Sequence, residues 1–190
     1  SCSVYGFAES GLRTEDSGLN PLTAYAKSKI NAEQDSQQIA NDDFCITALR
    51  FATACGFSSR LRLDLVLNDF VASAVTTGKI DILSDGTPWR PLIHVKDMAL
   101  AIEWAITRPV EIGGSFLSIN TGSNEWNYQV KDLAEVVQRV IPNVDMSINP
   151  DAVPDKRSYR VDFSLFRSLA PDFIPKVSLE DAVKDLYSGL

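Results

Sequence analysis

At 190 residues, with 45% apolar side chains, the chain can bury a sizeable core and is globular, not disordered. Its 25 acidic residues outnumber 18 basic ones, and a formal charge of −7 argues against a general nucleic-acid or anionic-membrane surface. No apolar run approaches the roughly 20 residues of a membrane span. Cys2, Cys45 and Cys55 show neither a disulfide framework nor zinc-ligand spacing, which fits a reducing cytoplasm.

In chain order, Ser1-Cys2-Ser3-Val4-Tyr5-Gly6 reads as the end of a strand, with Ser1 at its carboxyl end. Ligands sit at that end in open α/β sheets. Ser3, the other serine of the stretch, is expected to point away from Ser1's surroundings. Phe7 to Leu19 is rich in Glu, Asp, Ser and Gly and reads as a surface loop. Asn20 as N-cap and Pro21 at the first helical position predict a helix from here to about Ala40. Within it Tyr25 and Lys29 stand four apart and share a face. An ammonium beside a phenol favours the phenolate, which gives this pair chemical meaning.

Phe44 to Phe51 is a continuous apolar run, as in a buried parallel strand. A loop is expected over 52–62, then a helix from about Leu63 to Thr76 ended by Gly78. Lys79 to Leu83 alternates as a strand, Asp85-Gly86 turns the chain, and Pro91 to Val95 is extended. Val95, Met98, Ile102, Ala105 and Ile106 keep helical period. Ser115 to Asn120 is the next strand. Val130, Leu133, Ala134, Val137, Val140 and Ile141 mark the most regular amphipathic helix, stopped by Pro142. Val144 to Ile148 is a short strand, and Ser178 with Asp181 opens a final helix through a capping box. Alternating helices and strands mean α/β.

Four stretches then stand in one order: Ser1 with Val4-Tyr5-Gly6, Tyr25-x-x-x-Lys29, Leu49-Arg50-Phe51, and Gly86-x-x-x-Arg90 followed by Ile93-His94-Val95 and Asp97. Together they resemble the extended short-chain dehydrogenase/reductase family. More narrowly, they are similar to its NAD-dependent epimerase/dehydratase group, which acts on nucleotide sugars. The resemblance implies the C-terminal part of a Rossmann-type parallel sheet plus a smaller α/β substrate-binding lobe. Residues 1–60 would end the Rossmann-type domain. Residues 61–190 would form mainly the lobe, with about 79–107 returning to the Rossmann sheet. The chain has no Gly-x-Gly-x-x-Gly phosphate-binding turn. It is therefore expected to be the C-terminal part of an enzyme, with the cofactor-binding half preceding Ser1, and to be inactive alone.

By the same resemblance, Tyr25 is the general acid/base and Lys29 holds the nicotinamide ribose while lowering the phenol's pKa. Bringing that pKa from about 10 to near 7 needs roughly 4 kcal/mol. One half-solvated lysine is too little, so an oxidised nicotinamide ring is expected to add its charge. Ser1 matches the serine that bonds the substrate oxygen, and Phe51 would line the nicotinamide pocket. Arg90 matches an arginine on the substrate diphosphate, with Thr53, Asn68 and Arg157 as further substrate contacts. Many epimerases carry asparagine where Thr53 stands. The family's 4,6-dehydratases carry Asp-Glu where this chain has Cys2-Ser3, which disfavours dehydration.

The expected activity is NAD-dependent 4-epimerisation of a nucleotide-diphosphate sugar in a cytoplasmic homodimer, with NADP as an alternative cofactor. A nucleotide-sugar reductase, or a non-catalytic binding piece, are the alternatives. His94 reads as structural, no metal site is expected, and Trp89 is either packing or a platform for a base.

Overall fold

The computed structural model describes residues 1–7, 11–149, 151–152 and 158–190. Cys2–Tyr5 is a 3-10 turn and not a strand end, with Ser1 as its N-cap. Gly6 leaves the turn at φ 62°, and an added Cβ there would lie 1.9 Å from the Asn20 carbonyl oxygen. Only glycine lets the loop that precedes the first helix close on this turn. After β1 (Leu12–Arg13), helix α1 runs over Ala24–Ile39 with Thr23 as N-cap, its Oγ1 accepting from the Ala26 amide at 3.1 Å. The expected start at Asn20-Pro21 is thus three residues early. The Asn20 amide donates to the Val4 carbonyl at 2.9 Å, which ties this segment to the 3-10 turn and leaves capping to Thr23.

Strand β2 (Ile46–Phe51) is followed, after Ala52 alone, by β3 (Thr53–Cys55), where the sequence suggested only loop. Helix α2 (Val66–Thr77) ends at Gly78 in the left-handed region, then come β4 (Lys79–Ile82), β5 (Trp89–His94) and α3 (Val95–Thr107). The rest is β6 (Phe116–Thr121), β7 (Asn127–Gln129), α4 (Val130–Val140), β8 (Asp145–Ile148), β9 (Arg160–Val161), α5 (Ser164–Leu169) and α6 (Leu179–Gly189). β7, β9 and α5 are too short to show a period in the sequence.

β2 pairs in parallel with β6, in register from Ile46 opposite Phe116 to Phe51 opposite Thr121. At Ala52 the chain changes sheets, because β3 lies parallel to β5, which pairs antiparallel with β7. β4 pairs in parallel with β8, so Lys79–Ile82 does not return to the first sheet as expected. Its buried Ile80 and Ile82 join the core shared by α2, α4 and α6. Ala101 and Trp104 of α3 pack with Ile119 of β6. A third core joins Cys2, Val4 and Tyr5 of the 3-10 turn to Ala52, Ile93, Val161 and Phe163. No helix among the described residues is long and apolar enough to cross a membrane.

His94, fully buried, fastens α6 to the end of β5. Its Nδ1 accepts the Lys96 amide at 3.2 Å, and its Nε2 faces Asp185 Oδ2 at 3.2 Å. With Nδ1 accepting, Nε2 carries the proton, so the imidazole needs no charge. The absence of a side chain at Gly56 makes this possible, since a Cβ would meet the ring at 2.3 Å. Asp185 also accepts from Lys96 Nζ at 2.7 Å and the Phe57 amide at 3.0 Å. Burial pushes the Asp185 carboxyl up, but these two donors and the nearby charges outweigh it and hold the group below the usual carboxylate range. A depressed folded-state pKa stabilises the fold above the unfolded value of about 3.9, and the gain fades as pH falls through the folded value. Asp185→Asn should therefore cost about 1–3 kcal/mol at pH 7 in urea unfolding, with the gap to wild type closing below about pH 4. A gap independent of pH would show that the carboxylate charge is not what holds α6.

Candidate active site

A cleft of about 610 Å³ opens beside the sheet change at Ala52. One wall is the 3-10 turn and the approach to α1, through Ser3, Gly6, Leu22 and Thr23. Thr53 of β3, Arg90 of β5 and Leu65, Val66 and Asp69 at the start of α2 also line the cleft, together with Asp64, Asp81 and Tyr159. Thr53 reaches this place because one residue separates the two strands, so its side chain emerges where the backbone leaves the first sheet. The half-buried Arg90 donates to the Trp89 carbonyl at 2.9 Å.

Tyr25 and Lys29 project from the first two turns of α1, two and six residues beyond the cleft-lining Thr23. The Lys29 ammonium lies 5.3 Å from the centre of the Tyr25 ring. Both side chains are exposed, and Lys29 has no ion pair among the described residues. The ammonium thus keeps its hydrogens for a ligand, a donor set suited to ribose hydroxyls. Neither residue forms part of the cleft wall, whose rim at Thr23 adjoins them.

Ser1 and Ser3 do not face opposite ways. Residues two apart share a face even on a strand, so the expectation of opposite sides fails whatever the backbone. Here the N-cap geometry of the 3-10 turn brings the two hydroxyls together. Ser1 Oγ lies 3.0 Å from Ser3 Oγ and accepts the Ser3 amide at 3.4 Å, while Ser3 lines the cleft. Helix α1 packs on this turn, with Lys29 and Glu33 within electrostatic reach of Ser1.

The other expected contacts divide. Asn68 is buried and spent on its own backbone, since its Oδ1 accepts the Gly56 amide at 3.1 Å and its Nδ2 donates to the Arg62 carbonyl at 3.0 Å. Phe51 packs between two apolar cores. Arg157 lies outside the described residues. Trp89, a possible base platform, has the Arg160 guanidinium 5.0 Å from its ring centre.

Sequence reasoning missed the polar group behind the site. Arg50 is buried and gives Glu33 a two-pronged ion pair, Nε to Oε2 at 3.0 Å and Nη2 to Oε2 at 2.7 Å, with Nε also 3.1 Å from Oε1. Its Nη1 donates to the Tyr5 hydroxyl at 3.1 Å, and that hydroxyl is 2.7 Å from Asn120 Oδ1. Burial pushes the Tyr5 phenol up to about 12, so it stays a neutral donor. The signal was present in the spacing, because Glu33 follows Lys29 by four residues as Lys29 follows Tyr25. Burial likewise pushes the Cys2 thiol up to about 12, which removes it as a nucleophile. No metal-binding group of His, Cys, Asp or Glu occurs among the described residues.

The fold is shared with solved enzymes. The UDP-glucuronic acid 4-epimerase of Bacillus cereus superposes with a TM-score of 0.81 at 22% identity, covering 100% of this chain and 59% of its own. The UDP-glucose 4-epimerase of Bifidobacterium longum, solved with NAD and UDP, gives 0.81 at 19% identity, with 100% and 61% covered. An NAD-dependent NDP-hexosamine 5,6-dehydratase of tunicamycin biosynthesis gives 0.78 at 21% identity, with 100% and 60% covered. The chain therefore spans about 60% of the length of these relatives. The NAD dependent epimerase/dehydratase family model matches residues 1–122. With almost two-thirds of its length matched, and with Tyr25, Lys29 and the cleft inside or beside that span, this chain belongs to the NAD-dependent epimerase/dehydratase family.

Proposed function

We propose that the protein carrying this chain epimerises C4 of a nucleotide-diphosphate sugar with NAD as bound cofactor, in a cytoplasmic homodimer. The observation that carries the reading is the Tyr25–Lys29 pair on the helix that follows the cleft-lining Thr23, beside a cleft that Thr53 and Arg90 also line. The solved relatives with NAD, UDP or uronic-acid sugars support it as analogues. The choice of epimerisation over dehydration rests on residues 2 and 3. Removing water from a sugar needs a paired acid and base, and Cys2 and Ser3 supply neither carboxylate.

In this reading the Tyr25 phenolate takes the proton of the substrate hydroxyl and gives it back after the sugar has turned. Lys29 holds the negative charge on that oxygen and donates to the nicotinamide ribose. Ser1 hydrogen-bonds the reacting oxygen, and Phe51 backs the nicotinamide. Bound NAD supplies hydride acceptance and return. Arg90 forks onto the diphosphate, as a planar guanidinium does best. Thr53 meets the sugar, and Arg157 is a further contact for the nucleotide in this reading, whereas the amide of Asn68 is engaged by Gly56 and Arg62 and takes no part.

In the complete, NAD-loaded enzyme, Tyr25→Phe should lower kcat for UDP-hexose epimerisation by about 10²–10⁴-fold and leave nucleotide-sugar affinity near wild type. Phenylalanine fills the same space but exchanges no proton, so a fully active variant would remove the mechanism. Arg90→Ala should weaken binding of a UDP-sugar, measured by calorimetry, by about 1.5–3 kcal/mol. Unchanged affinity would make Arg90 a structural residue.

A further inference from the structure

We propose that Glu33 and Arg50 are positioning residues for the Tyr25–Lys29 pair, fixing the rotation of α1 against the turn that holds Ser1 and Ser3 and the strand that delivers Thr53. The inference rests on the acid/base reading above and adds residues that no part of that reading uses.

Within this chain helix α1 makes few apolar contacts. Of its 16 residues only Ala26 is buried, and Ile30 adds a partly buried contact to the core around the 3-10 turn. Against the elements of this chain its orientation is therefore set chiefly by directional contacts. Tyr25, Lys29 and Glu33 lie four apart and therefore on one stripe, each about 40° round from the last at 3.6 residues per turn. The last of the three carries the anchor. Its ion pair with Arg50 leaves the two side chains 8% and 13% exposed, and the fork fixes direction as well as distance. Ser118 Oγ adds a donor to Glu33 Oε2 at 3.2 Å from β6.

Arg50 is suited to be the reference because it touches α1 and the 3-10 turn and its own strand leads into Thr53. Its guanidinium holds α1 through Glu33 and the 3-10 turn through Tyr5. Its carbonyl accepts the Cys2 thiol at 2.9 Å. Its own strand continues through Ala52 into Thr53. Asn120 extends the network, bonding Tyr5, the carbonyls of Arg13 and Asp162, and, through its amide, Glu15 at 2.9 Å. A buried ion pair is a poor way to add stability, since apolar side chains of similar volume often do as well. What the fork adds is one orientation, and a mis-set Tyr25 by about 1 Å can cost about 100-fold in rate.

The test uses the complete NAD-loaded enzyme, with Glu33→Gln and the double variant Glu33→Leu/Arg50→Met, which replaces the pair by apolar groups should the single change leave Arg50 unfoldably unpaired. Steady-state kinetics with a UDP-sugar are combined with hydrogen exchange of the 24–33 amides. The expected result is a kcat lower by about 10- to 100-fold, with KM within twofold and faster exchange in α1. A kcat at the wild-type level, or a loss confined to KM, would overturn the inference. An inactive wild-type enzyme would defeat the proposed function instead, and slow exchange in α1 of the variants would then overturn the inference separately.

Discussion

The Arg50–Glu33 ion pair is the constraint on which the arrangement of this molecule depends. It sits between the first sheet and a mostly polar helix whose apolar contacts are few. The guanidinium is buried at a cost, offset by two carboxylate oxygens, the Tyr5 hydroxyl and the Glu15 carbonyl. Because its partners come from separate stretches of chain, changing one of them disturbs the 3-10 turn, α1 and the sheet change at Ala52 together. The cleft lies at that sheet change, where the strands of one layer give way to the next.

Two kinds of interaction hold the fold. Around the 3-10 turn, α1, β2 and β6 a polar and directional group, Arg50, Tyr5, Asn120 and Glu33, is set beside apolar cores. Between α2, α4 and α6 the packing is apolar, with Leu67, Leu133, Val137, Val183 and Leu186 all fully buried. Apolar packing resists volume change but sets orientation loosely, whereas charge-assisted bonds set orientation sharply.

How much was legible in the sequence follows from which signals are local. α4 and α6 were readable because their period and caps are properties of ten consecutive residues, and Ser178 does cap α6 by accepting from the Asp181 amide. The Tyr25–Lys29 pair was readable by spacing. The start of α1 was misplaced because Asn20 is claimed by Val4, a contact from outside the helix. β3 was missed because Ala52 gives no turn signal between two apolar strands. Lys79–Ile82 was assigned to the wrong sheet because a four-residue strand carries no mark of its partner. Ser1 to Gly6 is not a strand end but a 3-10 turn, because Ser1 accepts from the Ser3 amide as its cap, a local bond that the apolar Val4-Tyr5 pair does not announce. Asn68 carries the right residue type for a phosphate contact, yet its amide is engaged by Gly56 and Arg62, partners that no sequence window contains.

The central claim is that Tyr25 and Lys29 serve a reaction in which one hydrogen leaves a sugar carbon and returns to its other face. Running the complete enzyme on a UDP-sugar in deuterium oxide, with NMR analysis of the epimer formed, tests it most directly. Transient hydride transfer keeps the original hydrogen in the closed site, so the epimerised carbon should carry no deuterium. Deuterium at that carbon would mean that a proton was removed and replaced from solvent, and the account given for Tyr25 and Lys29 would be wrong.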